Sequence, residues 1–275
     1  MIPYQFGYHR PGSIAQAQAL FSSLHDARFL AGGQTLIPVM KQRLANPAHL
    51  IDLSRLEELS LVAAEDGAIV IGAGVRHFQV EDSPDIRRTI QALARLAGTI
   101  GDPAVRHLGT LGGSLANNDP AADYPAAVLG LGATIVTTNN VIAADKFFSG
   151  MFQTALQEGE IIKTVSFPAP LRAGYAKFPN PASRYAIVGV FVAQTHAGVR
   201  VAVTGAAPCV FRTTEMERAL SIRFEPDSLS DVRLSSDGLN SDLHASAEYR
   251  AHLVTVMAKR AVTAALDGQS SPIRE

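Results

Sequence analysis

Cys209 is the only thiol in this chain of 275 residues. An intrachain disulfide is therefore excluded, and the composition fits a reducing compartment. An iron–sulfur cluster held by this chain alone is excluded too, because it needs about four thiolates, or two with two histidines. Within Gly205-Ala206-Ala207-Pro208-Cys209-Val210-Phe211 the cysteine reads as a small buried hydrophobe rather than a nucleophile. An excess of one charge is also missing, since 24 basic residues face 25 acidic ones. Nucleic acid and anionic membranes, which call for a basic surface, are not expected partners. Long hydrophobic runs are lacking. The most apolar stretch, Ala126 to Val136, is too short to cross a bilayer and is interrupted by Gly130 and Gly132, so no membrane span is expected. Met1 to Pro11 carry neither a basic n-region nor an apolar h-region, which predicts no signal peptide and a cytoplasmic location.

What is present is ordinary for a folded protein: 47% hydrophobic and 18% charged residues, in a chain long enough for two domains with cores of their own. Ser13 caps a short helix to Leu24 with Ile14, Ala17, Phe21 and Leu24 at helical spacing. Arg28 to Ala31 reads as a strand, Gln34 to Leu44 as a helix and His49 to Leu53 as a strand, giving a β-turn-α-β unit. Glu65-Asp66-Gly67 separates two β-rich segments as a hairpin turn. Ser83-Pro84 opens a helix to Gly98 with Ile86, Ile90, Leu93, Ala94 and Ala97 on its apolar face. Asp119-Pro120 opens another through about Leu131. Strands follow at Ala133 to Thr138 and Glu160 to Phe167. The stretch Phe167-Pro168-Ala169-Pro170-Leu171 marks a domain boundary. Beyond it, Ile187 to Gln194 and Val199 to Thr204 form an antiparallel pair, and a helix from about Ser246 to Leu266 closes the chain, leaving Asp267 to Glu275 as a disordered tail.

Two glycine pairs carry the chemistry. The first lies in Leu30-Ala31-Gly32-Gly33-Gln34-Thr35-Leu36-Ile37-Pro38, the second in Thr110-Leu111-Gly112-Gly113-Ser114-Leu115-Ala116-Asn117-Asn118-Asp119-Pro120-Ala121-Ala122-Asp123. Each opens into a helix, an arrangement in which bare backbone amides seat a phosphate. Two such seats suit a diphosphate. Other candidates are weaker. Ile71-Gly72-Ala73-Gly74-Val75-Arg76-His77 lacks the third glycine of a dinucleotide fingerprint and reads as a tight strand-to-helix turn. The eight histidines show no metal-ligand spacing, so His77, His107, His196 and His244 read as surface or capping residues. No Gly-x-Ser-x-Gly elbow supports a hydrolase triad.

Taken together, the two strings resemble the FAD-binding medium subunit of the molybdenum hydroxylases, the family of aerobic carbon monoxide dehydrogenase and, as a fused middle segment, of xanthine dehydrogenase. The first, through Met40-Lys41, is similar to that family's A-G-G-x-[ST]-L-[IL]-P loop, and the second to its T-[IL]-G-G-[SN]-[LI]-A motif followed by D-P-A-[AG]-D. Glu160-Ile161-Ile162, Tyr175-Ala176-Lys177-Phe178, Pro181 to Val188 and His244 to Arg250 extend the resemblance over nearly the whole chain.

The resemblance implies an α+β fold: an FAD-binding module of the vanillyl-alcohol-oxidase type over 1–171, with subdomains of about 1–57 and 58–171, then a C-terminal domain of antiparallel sheet plus helices over 172–275. It implies noncovalent FAD held by Leu30, Ala31, Gly32, Gly33, Gln34, Thr35, Leu36 and Ile37 on one side and Thr110, Leu111, Gly112, Gly113 and Ser114 on the other. Thr35 and Ser114 could instead be plain caps. Asp123 takes the family position that contacts FAD, and a carboxylate suits sugar hydroxyls, whereas Asp119 reads as a helix N-cap. Near the ring the resemblance implies Ile100, Ile162 and Lys177, and also Tyr185, which could equally be core at a strand start. The flavin would take electrons from a small [2Fe-2S] subunit and pass them to an external acceptor, a large molybdopterin subunit oxidising the substrate, in a dimer of heterotrimers. No metal and no catalytic side chain is expected on this chain. The rivals are a self-contained flavin oxidase or dehydrogenase of the same fold, and a non-catalytic assembly subunit that has lost FAD.

Overall fold

A computed structural model of the chain describes residues 2–268. Three short strands come first: β1 (Gly7–His9), β2 (Ala27–Leu30) and β3 (His49–Asp52), paired in parallel in the order β1-β3-β2. Parallel neighbours need crossovers, supplied by α1 (Ile14–Ser23) and α2 (Leu36–Lys41). The Ser13 hydroxyl accepts from the Gln16 amide and fixes the start of α1, whose Ile14 and Ala17 are buried.

A second, antiparallel sheet joins β4 (Val62–Glu65) and β5 (Ala68–Gly72), linked by the Asp66-Gly67 turn, to strands from much later in the chain. Between β5 and β6 (Thr134–Thr137) the chain runs through six helices: α3 (His77–Asp82), α4 (Pro84–Thr89), α5 (Gln91–Gly98), α6 (Pro103–Leu108), α7 (Leu111–Asn117) and α8 (Tyr124–Leu131). After β7 (Val141–Ala143) come α9 (Ala144–Phe147) and a small ribbon of β8 (Phe148–Gly150) and β9 (Gln153–Thr154). Then β10 (Ile162–Pro168) enters the sheet centre in the order β4-β5-β10-β6-β7.

Two expected helices are corrected here. The helix expected from Pro84 to Gly98 is two, broken at Ile90 (φ −139°, ψ 69°). Thr89 and Ile90 are consecutive β-branched residues with poor helix propensity, and the break still leaves Ile86, Ile90, Leu93 and Leu96 buried. The helix expected from Pro120 starts at Tyr124 instead, because the Asp119 carboxylate accepts from the Ala121 amide and closes a separate turn.

The third sheet begins at Arg172: β11 (Arg172–Pro179), β12 (Ala186–Thr195), β13 (Gly198–Thr204) and β14 (Phe211–Arg212), antiparallel and in sequence order. Its two faces follow the period-two rule. Val188, Val190, Val192, Val201 and Val203 pack under the long helix α11 (Ala247–Asp267) together with α10 (Thr214–Ile222), while Phe191, Ala193 and Ala202 face α8 and join the core of the first two sheets. Each fully buried Val or Phe contributes about 1.5–3 kcal/mol, so β12, buried on both faces, ties the sheet to the rest. α11 runs through Asp267, the first residue of the expected tail, and 269–275 lie outside the described residues.

Candidate functional site

The first glycine pair occupies the turn from β2 into α2. Among the described residues, the amides of Gly32, Gly33, Gln34, Thr35 and Leu36 donate to no protein group. Gly33 sits at φ +69°, a conformation that L side chains rarely adopt. Thr35 occupies the position before α2 without a side-chain capping bond, so its hydroxyl is not a plain cap.

The second pair is built differently. Thr110 caps α7, its hydroxyl accepting from the Gly113 amide at 3.1 Å. The Leu111 amide donates to Val75 O, that of Gly112 to Ala73 O and that of Ser114 to Thr110 O. The expectation of two equivalent seats of bare amides is corrected: here the amides are consumed by the fold. Gly112 is needed for close packing, since a Cβ there would lie 2.5 Å from the Ala73 Cβ. Ser114 lies inside α7, where it caps nothing.

The two segments meet. A Cβ on Gly32 would come within 2.3 Å of Leu108 O, and one on Gly113 within 3.7 Å of the Ala31 Cβ. Between and around them lies a cleft of about 660 Å³, within the span of cofactor pockets. Of the residues expected at the cofactor, all but Ile37, Leu111 and Lys177 line it. Ile37 points at Gly33 and Leu111 is fully buried in the core.

Lys177 stands behind Asp123, with Nζ 3.0 Å from Oδ1 and 3.2 Å from Oδ2, both side chains 6% exposed. Nζ also donates to Thr99 O, and the Tyr175 hydroxyl donates to Asp123 Oδ1. Burial pushes the Asp123 carboxyl up, while the Lys177 charge and the Tyr175 and Lys177 hydrogen bonds pull it down. The net direction is upward.

Tyr185 is 48% exposed, so it is not core. It lines the cleft just before β12, in a turn where Asn180 Oδ1 accepts from the amides of Ala182 and Ser183 and Arg184 has φ +64°.

The cleft also holds residues that sequence reasoning missed. His77, expected at the surface, is 5% exposed: its amide donates to Gly109 O and its ring tilts against Tyr124. Burial, with Arg106 nearby, pushes its imidazole down to about 4. Its Nδ1 and the Tyr124 hydroxyl are buried without partners. Phe29, its ring stacked on Phe21 at 4.8 Å, also lines the cleft, as do Arg28 and the Leu156 to Ile161 segment. The Gly72 to His77 segment is the expected strand-to-helix turn, although Ala73, Gly74 and His77 also line the cleft. Only the odd histidine beside Gly-x-Gly hinted at this. His107, His196 and His244 are exposed, as expected.

A pocket of this volume, with a run of unpaired amides at a glycine turn and a buried carboxylate in its wall, fits a dinucleotide with a central diphosphate. Residues 4–170 match the family model of the FAD binding domain in molybdopterin dehydrogenase. The chain belongs to this family. It is 34% identical to the carbon monoxide dehydrogenase medium chain of Hydrogenophaga pseudoflava, over 96% of this chain and 98% of that one. To the nicotine 6-hydroxylase medium subunit of Paenarthrobacter nicotinovorans it is also 34% identical, over 94% and 96%. Among solved structures it is similar to a chain of Cu,Mo-CO dehydrogenase, with TM-score 0.90 and 33% identity over 98% and 100% of the two chains. A chain of quinoline 2-oxidoreductase from Pseudomonas putida 86 gives TM-score 0.88 and 27% identity over 98% and 100%. The expected α+β class, the oxidoreductase family and FAD as the cofactor all hold.

Proposed function

We propose that this chain is the FAD-containing electron-transfer subunit of a molybdenum hydroxylase. Bound FAD supplies the ability to take electrons singly from [2Fe-2S] clusters of a partner subunit and to deliver them to an external acceptor. The observation that carries the reading is the cleft between the two glycine segments with its five unpaired amides. Those of Gly32 to Leu36 would hold the diphosphate, with the hydroxyls of Thr35 and Ser114 in reach of the same cleft. Asp123 would accept from a ligand hydroxyl or N–H. Tyr185, half-exposed at the rim, would cover the ring.

The division of labour rests on the chain's own composition and on its relatives. One cysteine cannot ligate a cluster, and the relatives carry the names of medium chains and subunits over nearly their full length. The partners are accordingly a small [2Fe-2S] subunit and a large molybdopterin subunit, assembled as a dimer of heterotrimers in the cytoplasm. No helix among the described residues is long and apolar enough to cross a membrane. The chain itself divides into a cofactor domain over 1–171 and a second domain over 172–275, a division supported by the start of the third sheet at Arg172.

Purified alone, the protein is expected to be yellow, to hold stoichiometric FAD and to contain neither iron nor molybdenum in stoichiometric amount. From its native source it should bring two further subunits. Colourless protein that takes up no added FAD would support the assembly-subunit reading, and flavin reduction by a small substrate without partners would support the self-contained oxidase.

A further inference from the structure

Asp123 reaches the cleft wall with much of its capacity already engaged from behind. Oδ1 accepts from the Tyr175 hydroxyl and faces Lys177 Nζ at 3.0 Å, while Oδ2 accepts from the same Nζ at 3.2 Å. Tyr175 and Lys177 are two apart on β11 and so share a face of the strand. Tyr175 packs on the core of the first two sheets, whereas Ala176 and Phe178 between and beyond pack toward α11. Both donors lie in the third sheet, after the residues 4–170 that match the FAD-binding family model.

An ionised carboxylate only accepts hydrogen bonds. With Oδ1 held by two donors and Oδ2 by one, its free acceptor capacity is on Oδ2. A carboxyl so deeply buried would otherwise take up a proton and present a donor instead. We propose that Tyr175 is a positioning residue for the cofactor: together with Lys177 it reaches from the third sheet to hold Asp123 as an oriented acceptor in the cleft wall. This rests on the reading of the cleft as the FAD site. It gives the C-terminal sheet a direct part in cofactor retention.

The sign of the pH dependence follows from the neighbours. Lys177 and Tyr175 face Asp123 from β11, Tyr124 follows it in the chain, and Tyr185, itself close to Asp119, faces it from the turn before β12. Burial raises the Asp123 carboxyl, and the Tyr175 hydrogen bond opposes that rise. Removing the hydroxyl favours the protonated carboxyl. FAD affinity should then begin to fall at a higher pH as the solution is acidified.

The test is titration of the full chain with FAD, read by flavin fluorescence between pH 5 and 9. Tyr175→Phe is expected to bind about tenfold or more weakly at neutral pH, the loss of one hydrogen bond to a charged group, with its acid limb displaced upward. Lys177→Met should lose more, and Lys177→Arg should recover part. In an Asp123→Asn background, which keeps the side chain's shape, the effect of Tyr175→Phe should shrink to near nothing. Circular dichroism on each variant separates misfolding from loss of affinity, and the Asp123→Asn protein, expected to lose the acid limb, decides the matter if Tyr175→Phe fails to fold. Tight wild-type binding that Tyr175→Phe leaves unchanged at every pH, or an equal loss in the Asp123→Asn background, overturns the inference alone. Wild-type protein that binds no FAD overturns the proposed function and this inference with it.

Discussion

The two glycine segments look alike in the sequence and differ in the fold. In the first, the turn from β2 into α2 leaves five consecutive amides without protein acceptors, and Gly33 is required by its positive φ. In the second, the amides of Leu111, Gly112, Gly113 and Ser114 go to Val75 O, Ala73 O, the Thr110 hydroxyl and Thr110 O. Its glycines serve proximity: Gly112 lets α7 lie against the end of β5, and Gly109 leaves room for the His77 ring. One segment is a donor surface and the other a buttress that sets the cleft width. The same dipeptide therefore meets two physical needs, and only the hydrogen-bond ledger tells them apart.

The difference can be broken most sharply at Gly33. A Val there must adopt a left-handed conformation that β-branched residues avoid and would turn the amides away from the cleft. Losing two or three amide bonds to a charged oxygen, each worth about 1.5–3 kcal/mol, is expected to weaken FAD binding by a hundredfold or more. Flavin titration checks this, and wild-type affinity in Gly33→Val would remove the donor role from the first segment.

The buttress should respond to pH rather than to flavin. His77 is neutral and buried beneath Gly109, its imidazole lowered to about 4. The unfolded chain, titrating near 6.5, binds the proton first as pH falls, so stability declines from about pH 6.5 down to about 4 and is constant for this group above that window. The total loss is on the order of 3 kcal/mol. Denaturation midpoints across this range should show the slope in wild type and a reduced one in His77→Phe; equal slopes would place the acid sensitivity elsewhere.

A smaller effect is expected at Gly112. Ala there puts a Cβ 2.5 Å from the Ala73 Cβ, an overpacking worth about 1–3 kcal/mol of stability. Urea denaturation should register the loss, while FAD affinity at temperatures where the variant stays folded should fall far less than in Gly33→Val. A flavin defect as large as that of Gly33→Val, without loss of stability, would make the two segments equivalent after all.

Local signals were legible in the sequence. The Ser13 cap, the Asp66-Gly67 hairpin and the β12–β13 pair are set by a few neighbouring residues, and each formed. The two glycine strings made their own share of the cleft lining legible, which is less than half of the whole. What stayed hidden depends on acceptors and partners far along the chain. The Gly112 amide is engaged because β5 ends at Gly72 and leaves Ala73 O free to accept it. Lys177 stands behind Asp123 rather than in the lining because β11 pairs with β12 and packs against α5, so that its Nζ reaches Thr99 O at the end of α5 and the Asp123 carboxylate. His77 is buried because Gly109 and Tyr124, both from much later in the chain, pack against it, which no spacing of histidines reveals. The break at Ile90 was missed for the opposite reason. A continuous apolar period ran across it, and two adjacent β-branched residues were a weaker signal than that period.

Hydrogen exchange, measured on peptides covering residues 30–37 and 109–117 with and without FAD, probes the two segments in one experiment. Unpaired amides exchange freely until a ligand takes them, whereas amides already bonded within the fold are protected beforehand. The account predicts slow exchange at 111–114 in both states, and fast exchange at 32–36 that becomes slow when FAD is bound. Protection gained chiefly at 111–114, or none gained at 32–36 in protein that holds FAD, would contradict it.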